Sequence, residues 1–120
     1  MSAPSALRAA LACPGLLVVP GVATPWDALL AERAGFDVLF TTGAGIANIQ
    51  FGLPDLGLLT LSEVVEANRR IAAAVRAPLI ADADTGYGNH LNVTRTVQEL
   101  ERAGVGGLVL EDQVTPKRCG

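Results

Sequence analysis

The sequence predicts a parallel α/β fold. Short apolar runs rich in β-branched residues are each followed by a glycine-bearing loop and then by a helical pattern, and the cycle recurs roughly every 20 to 35 residues. An opening helix is expected over residues 5–12, ahead of a first strand over 16–22. Thr24 and Pro25 have the form of an N-cap with proline at the first helical position, and the helix carries Ala28, Leu29, Leu30 and Ala31 to a stop at Gly35. The second strand, 38–42, enters TGAGIANIQFGLPDLG at 42–57, where neither a helical nor a strand period holds. Ordinary connections need only about four to six residues, so a loop of this length points to function. Thr60 and Glu63 stand at capping-box spacing, and Val64, Ala67, Ile71, Ala74 and Val75 give an apolar helical face running up to Pro78. The third strand is 79–84, the next loop TGYGN at 85–89, and the next helix, with Val93, Val97 and Leu100 inward, ends at Gly104. The fourth strand is 107–111. Strands this short and apolar are expected where both faces are covered by helices or neighbouring strands. Four such strands fit either a small open sheet or the first half of an eight-stranded barrel, which takes about 250 residues.

Composition removes several classes of function. With 50% hydrophobic residues and a formal charge of −3, the chain has enough apolar surface to offset ordering entropy. Its richest apolar stretch, GLLVVPGVA at 15–23, is broken by Pro20 and Gly21 and is too short to cross a bilayer. Arg8 ahead of that stretch has the outline of a secretory signal, but the same letters read as a helix, a turn and a buried strand, which also suits the strand and helix units after it. Nine Lys plus Arg against twelve Asp plus Glu, without a basic run, leave no footprint for nucleic acid. Cys13 and Cys119 form no CxxC pair, which indicates neither a zinc site nor a disulfide framework and makes a reducing, cytoplasmic setting the expectation. Cys13 reads as a small packing residue. His90, the single histidine, follows Asn89 at a helix start and reads as solvated or capping.

The residues that carry chemistry gather where strands end, which is where parallel α/β folds bind ligands. Asp82 and Asp84 are two apart on one strand, so alternation sends both carboxylates to the same side. Glu111 ends the following strand and Asp55 lies in the long loop. Four converging carboxylates without enough Lys or Arg to neutralise them repel one another, and a hard divalent cation, Mg²⁺ or Mn²⁺, relieves this. One aspartate alone serves as readily to cap a helix or form a turn; it is the addition of Glu111 that turns the reading toward a metal. Asp112 is out of phase with Glu111 and reads as a capping group. Cys119 follows Lys117 and Arg118, cations that favour a thiolate, although an ordinary exposed cysteine fits the same letters.

Two glycine motifs are weaker than they look. GAGIAN at 43–48 lacks the third glycine of a dinucleotide fingerprint, and no amphipathic helix is expected before Pro54. TGYGN lacks the GK[ST] ending of a P-loop. The first segment reads instead as backbone that approaches a small anion, with the amides of 43–45 as donors.

ADADTGYGN at 81–89, NVTRTV at 92–97, LEDQ at 110–113, PKRCG at 116–120 and FGLPDLG at 51–57 together resemble the isocitrate lyase and phosphoenolpyruvate mutase superfamily, in order and spacing, across nearly the whole chain. Within it the chain is most similar to short-chain lyases of the 2-methylisocitrate lyase type. The resemblance implies that residues 1–120 are the N-terminal half of one (β/α)8 barrel domain, cut within its catalytic loop, and that the parent enzyme is a homo-oligomer, a tetramer. It implies Mg²⁺ held directly by Asp82 and through water by Asp55, Asp84 and Glu111, with Thr42, Gly43 and Ala44 binding a carboxylate substrate. The family more often has serine at 42 and glycine at 44, and lyases often have tyrosine where this chain has Phe40. Cys119, in a loop with Lys117 and Arg118, resembles the acid and base of the lyase branch, which favours carbon–carbon cleavage over phosphoryl rearrangement. The implied reaction is retro-aldol cleavage of a 2-hydroxy di- or tricarboxylate to an α-oxo acid and a carboxylate. A phosphonomutase or an oxaloacetate hydrolase of the same superfamily is the alternative, and a noncatalytic half-barrel is the alternative of another class.

Overall fold

A computed structural model describes residues 1–119. Its elements run α1 (Ala3–Ala12), β1 (Gly21–Val22), α2 (Pro25–Arg33), β2 (Leu39–Thr41), α3 (Gly43–Gly45) continuing as a π-helical stretch (Ile46–Phe51), α4 (Leu61–Ala74), β3 (Leu79–Asp82), α5 (His90–Arg102) and β4 (Gly107–Val109). The four strands form one parallel sheet in chain order. This is the α/β architecture expected, with every strand's C-terminal end on one rim.

Local chemistry sets the helix ends. Thr24 caps α2 and Asp27 returns the bond to the Thr24 amide; Thr60 and Glu63 do the same for α4, and Asn89 and Asn92 for α5. Gly35 and Gly104, both at φ 94°, end α2 and α5 in the left-handed region that glycine adopts freely.

The sheet has one fully covered face. Val22, Thr41, Ala81 and Leu108 lie side by side in register and face α2, α4 and α5, where Ala28, Val65, Ile71 and Leu100 complete the main core. Buried Thr41 donates its hydroxyl to Asn68 Oδ1 at 2.6 Å, and Asn68 donates to the Val64 carbonyl at 2.9 Å, so the polar pair inside this core is satisfied. The opposite row, Gly21, Phe40, Ile80 and Gly107, is covered only in part: the buried Leu7 of α1 lies against Gly107, where a Cβ would come within 2.7 Å of it, while Val109 near the row is half exposed. The expectation of strands covered by helices or neighbouring strands on both faces is therefore met fully on one face and in part on the other.

Several local expectations are corrected. The first strand is two residues long: Leu16 is 91% exposed, and Pro20, which has no N–H, only accepts a bond from Phe40 before pairing begins. The 42–57 segment is not irregular throughout, because Thr42 caps a helical turn that widens into the π-helical stretch. Along α5 the inward residues are Thr96 and Leu100, whereas Val97 is 37% exposed. Thr96 turns inward because its hydroxyl donates to the Gly86 carbonyl at 2.9 Å, tying α5 to the loop before it. Cys13 is exposed, since it leaves the helix as the C-cap of α1, whose one buried side chain is Leu7.

Candidate active site

The rim formed by the ends of β2, β3 and β4 carries the candidate site. Asp82, the last residue of β3, accepts from the Gly43 amide through Oδ2 at 2.9 Å and from the Asp84 amide through Oδ1 at 3.0 Å. Both oxygens are therefore oriented by backbone, one across to the neighbouring strand's loop. A Cβ on Gly43 would stand 2.9 Å from Asp82 Oδ2, so the close approach needs glycine.

Strand alternation does not place Asp84, because β3 ends at Asp82 and Asp84 has φ 52°. It reaches the site through that left-handed turn, which aspartate tolerates better than most side chains. Its carbonyl accepts from the Glu111 amide at 2.8 Å, which brings Glu111 to the same rim.

Lys117 lies in the middle. Its side chain is 5% exposed, and Nζ is 2.8 Å from Asp55 Oδ1, 3.2 Å from Asp84 Oδ1 and 3.6 Å from Glu111 Oε1. This corrects the expectation of carboxylates without a nearby cation: the chain supplies one from the segment that comes after β4. Burial pulls the Lys117 ammonium down, but Asp55 and Asp84 outweigh it and hold the group above its ordinary range, so it stays charged. For Asp84 the balance differs. Burial pushes its carboxyl up, Lys117 pulls it down, Glu111 and Asp82 add to the upward push, and the net direction is up. Asp84 Oδ1 is buried, and at 3.2 Å the ammonium is an ion-pair neighbour without the alignment of a hydrogen bond.

Of the other residues singled out, Thr42 accepts from the Gly45 amide at 3.2 Å and Gly43 is committed to Asp82. Two of the three amides expected to face an anion are thus engaged within the protein, while Ala44 shares their helical turn. Arg118 contributes its backbone amide to Gln113 Oε1 at 2.8 Å, and Cys119 is exposed beyond it. Gly120 lies outside the described residues.

Two residues join the site that the sequence did not single out. Gln113 donates to Glu111 and accepts from Arg118, so it ties the Glu111 carboxylate to the Lys117 segment. Tyr87, at φ 62°, packs against the small core of Ile46, Ala47, Leu59, Val64 and Ala67 beneath the site. Burial, with Asp84, Asp82 and Asp55 adding to it, pushes its phenol up and keeps it protonated. The flanking glycines of TGYGN are the signal that a side chain there is held in an unusual backbone. A cavity of about 460 Å³ opens beside the cluster, walled by Leu56, Asp84, Thr85, Tyr87, Pro116 and Lys117 among others.

The donor set suits a hard cation, being oxygen only, and the poorly satisfied Asp84 Oδ1 is where such an ion would gain most. As the side chains stand, no three His, Cys, Asp or Glu groups among the described residues are close enough to hold a metal together. They splay around the Lys117 ammonium instead.

Residues 7–119 match the family model described as phosphoenolpyruvate phosphomutase. A 2-methylisocitrate lyase of Aeropyrum pernix is 53% identical over 105 residues, covering 88% of this chain and 34% of its own. A 2,3-dimethylmalate lyase of Eubacterium barkeri is 45% identical over 120 residues, covering 100% of this chain and 42% of its own. Among solved structures, a phosphonopyruvate hydrolase complexed with oxalate and Mg²⁺ superposes with a TM-score of 0.91 at 40% identity, covering 98% of this chain and 41% of that one. The chain thus spans well under half the length of these relatives.

Proposed function

The chain belongs to the phosphoenolpyruvate phosphomutase family, within the PEP mutase/isocitrate lyase superfamily, and on that premise we propose that it carries the metal and acid half of a site that cleaves a 2-hydroxy di- or tricarboxylate of the 2-methylisocitrate kind. The fold is the N-terminal half of a (β/α)8 barrel. The observation that carries the functional reading is 45% identity with a lyase along all 120 residues, which supports placing this chemistry on the rim where Asp55, Asp82, Asp84 and Glu111 meet.

In this reading Asp82 would hold Mg²⁺, with Asp55, Asp84 and Glu111 holding it through water. Mg²⁺ in such a site polarises and orients the oxygens on which negative charge develops. The backbone amides on Asp82 fix its carboxylate before substrate arrives, so little reorganisation remains at the reacting step. Thr42, Gly43 and Ala44 line the approach of the substrate carboxylate. In cleavage the substrate hydroxyl would pass its proton to water at the rim and become the oxo group. The carbon–carbon bond breaks with its electron pair passing to the α-carbon of the departing carboxylate, and the Cys119 thiol donates the proton that completes that fragment. Before a metal binds, Lys117 and the Arg118 amide tie the thiol's segment to the anionic rim. A homotetrameric, cytoplasmic parent enzyme belongs to the same reading.

The test is turnover of 2-methylisocitrate, oxaloacetate and phosphonopyruvate by the protein carrying this chain, with Mg²⁺ present. Release of an α-oxo acid from 2-methylisocitrate is expected. Turnover of phosphonopyruvate alone would move the assignment to the mutase and hydrolase branch.

A further inference from the structure

Lys117 is the sole lysine among the 120 residues. Its buried ammonium contacts Asp55, Asp84 and Glu111, three of the four carboxylates that the proposed function gives to a divalent cation. A divalent ion held through water on those three carboxylates needs the space that the ammonium fills, and the two like charges repel each other in proportion to the product of their charges. The lysine also leaves the site incompletely satisfied: buried Asp84 Oδ1 has the ammonium beside it without an aligned hydrogen bond. An incoming divalent ion therefore has both a stronger claim on the carboxylates and an oxygen in need of a partner.

We propose that Lys117 is a built-in counter-ion which a divalent cation must displace, so that metal entry releases the segment carrying Cys119. This rests on the reading of the four carboxylates as a metal site. The Lys117 stem lies against Gly57, where a Cβ would come within 3.4 Å of Lys117 Cγ. Thr115, Pro116 and Lys117 form one wall of the 460 Å³ cavity, and Arg118 is tied to Gln113. Withdrawing the ammonium removes that wall's anchor and leaves Gln113 as its tether to Glu111. Without metal, the lysine gathers the three carboxylates around itself and keeps the cavity walled; with metal, the wall is free to move and the thiol two residues on moves with it.

The experiment reads the lysine directly. The whole protein is reductively methylated with formaldehyde and cyanoborohydride at neutral pH, with and without Mg²⁺ or Mn²⁺ at matched ionic strength, and Lys117 is followed by peptide mapping against the N-terminal amine as internal reference. Lys117 should be protected without metal and should label roughly tenfold faster with it, while the N-terminus is unchanged. In calorimetry, Lys117→Met should bind Mg²⁺ roughly tenfold more tightly than the natural chain because the competitor is gone. Should that variant not fold, the labelling of the natural protein still decides. Metal binding with unchanged Lys117 labelling would overturn the counter-ion role and leave the metal site standing. No Mg²⁺ binding by either protein would overturn the metal reading and this inference together.

Discussion

Asp82 is aimed by two backbone amides before any ligand is present, and one of them belongs to Gly43 on the neighbouring strand's loop. Gly43→Ala should therefore disturb both strands: we expect a loss of about 1–3 kcal/mol in stability, read by denaturant unfolding, together with weaker Mg²⁺ binding. Asp82→Asn keeps one acceptor oxygen but turns an NH₂ toward the second backbone amide, and should abolish Mg²⁺-dependent turnover while lowering the thermal midpoint. Equal Mg²⁺ affinity in the two proteins would remove the ligand assignment. Cys119→Ser should slow cleavage by at least roughly a hundredfold, the usual scale of a lost acid, while Mg²⁺ affinity stays the same. The four carboxylates are legible in the sequence because strand ends and motif spacing mark them. Lys117 is legible as a loop residue but not as their partner, since its burial depends on the path of residues 112–116 back across the rim. Asp84 reaches the expected side by a different route, because a left-handed turn and not strand alternation brings it there.

The crossover helices begin in capping boxes, and each stands directly after the loop that leaves a strand or carries a site residue. Glu63 makes one of them pH-sensitive. The Thr60 backbone amide, with the Thr60 hydroxyl, holds its carboxyl below the usual value, so its contribution is present at neutral pH and is lost as pH falls through the lowered value. The thermal midpoint of the natural protein should exceed that of Glu63→Gln at neutral pH, and the gap should close below the ordinary carboxylate range. A gap that persists there would assign the effect to packing instead. Capping boxes read well from sequence because they depend on residues three apart. The π-helical stretch does not, because its i→i+5 bonds have no counterpart in a 3.6-residue period, and its buried residues, Ile46 and Ala47, are adjacent rather than spaced. Val97 misleads for a related reason: it has the right spacing, but the hydroxyl of Thr96 has a carbonyl to reach in the loop before the helix.

Across the whole molecule the parallel register puts every functional loop on one rim, and the helices cover one face of the sheet. The other face, with Phe40, Ile80 and Val109, is partly open, and β1 and β4 are edges among the described residues. The 120-residue chain studied by itself should therefore self-associate, eluting in size exclusion as a dimer or larger. A soluble monomer that turns over substrate would contradict this. The alternation of strands and helices makes the barrel half legible, whereas which face lies open is not, since both faces use the same apolar letters. Chain length is also not equally free everywhere. Between β2 and Asp55 the backbone passes through the π-helical stretch and then the left-handed Gly52, and each helical residue both advances the chain and rotates it about the helix axis. Losing one residue there would swing Asp55 to another side of the rim, so natural variants of this protein should show insertions and deletions in the exposed stretch before β1 but hold the 46–55 count fixed.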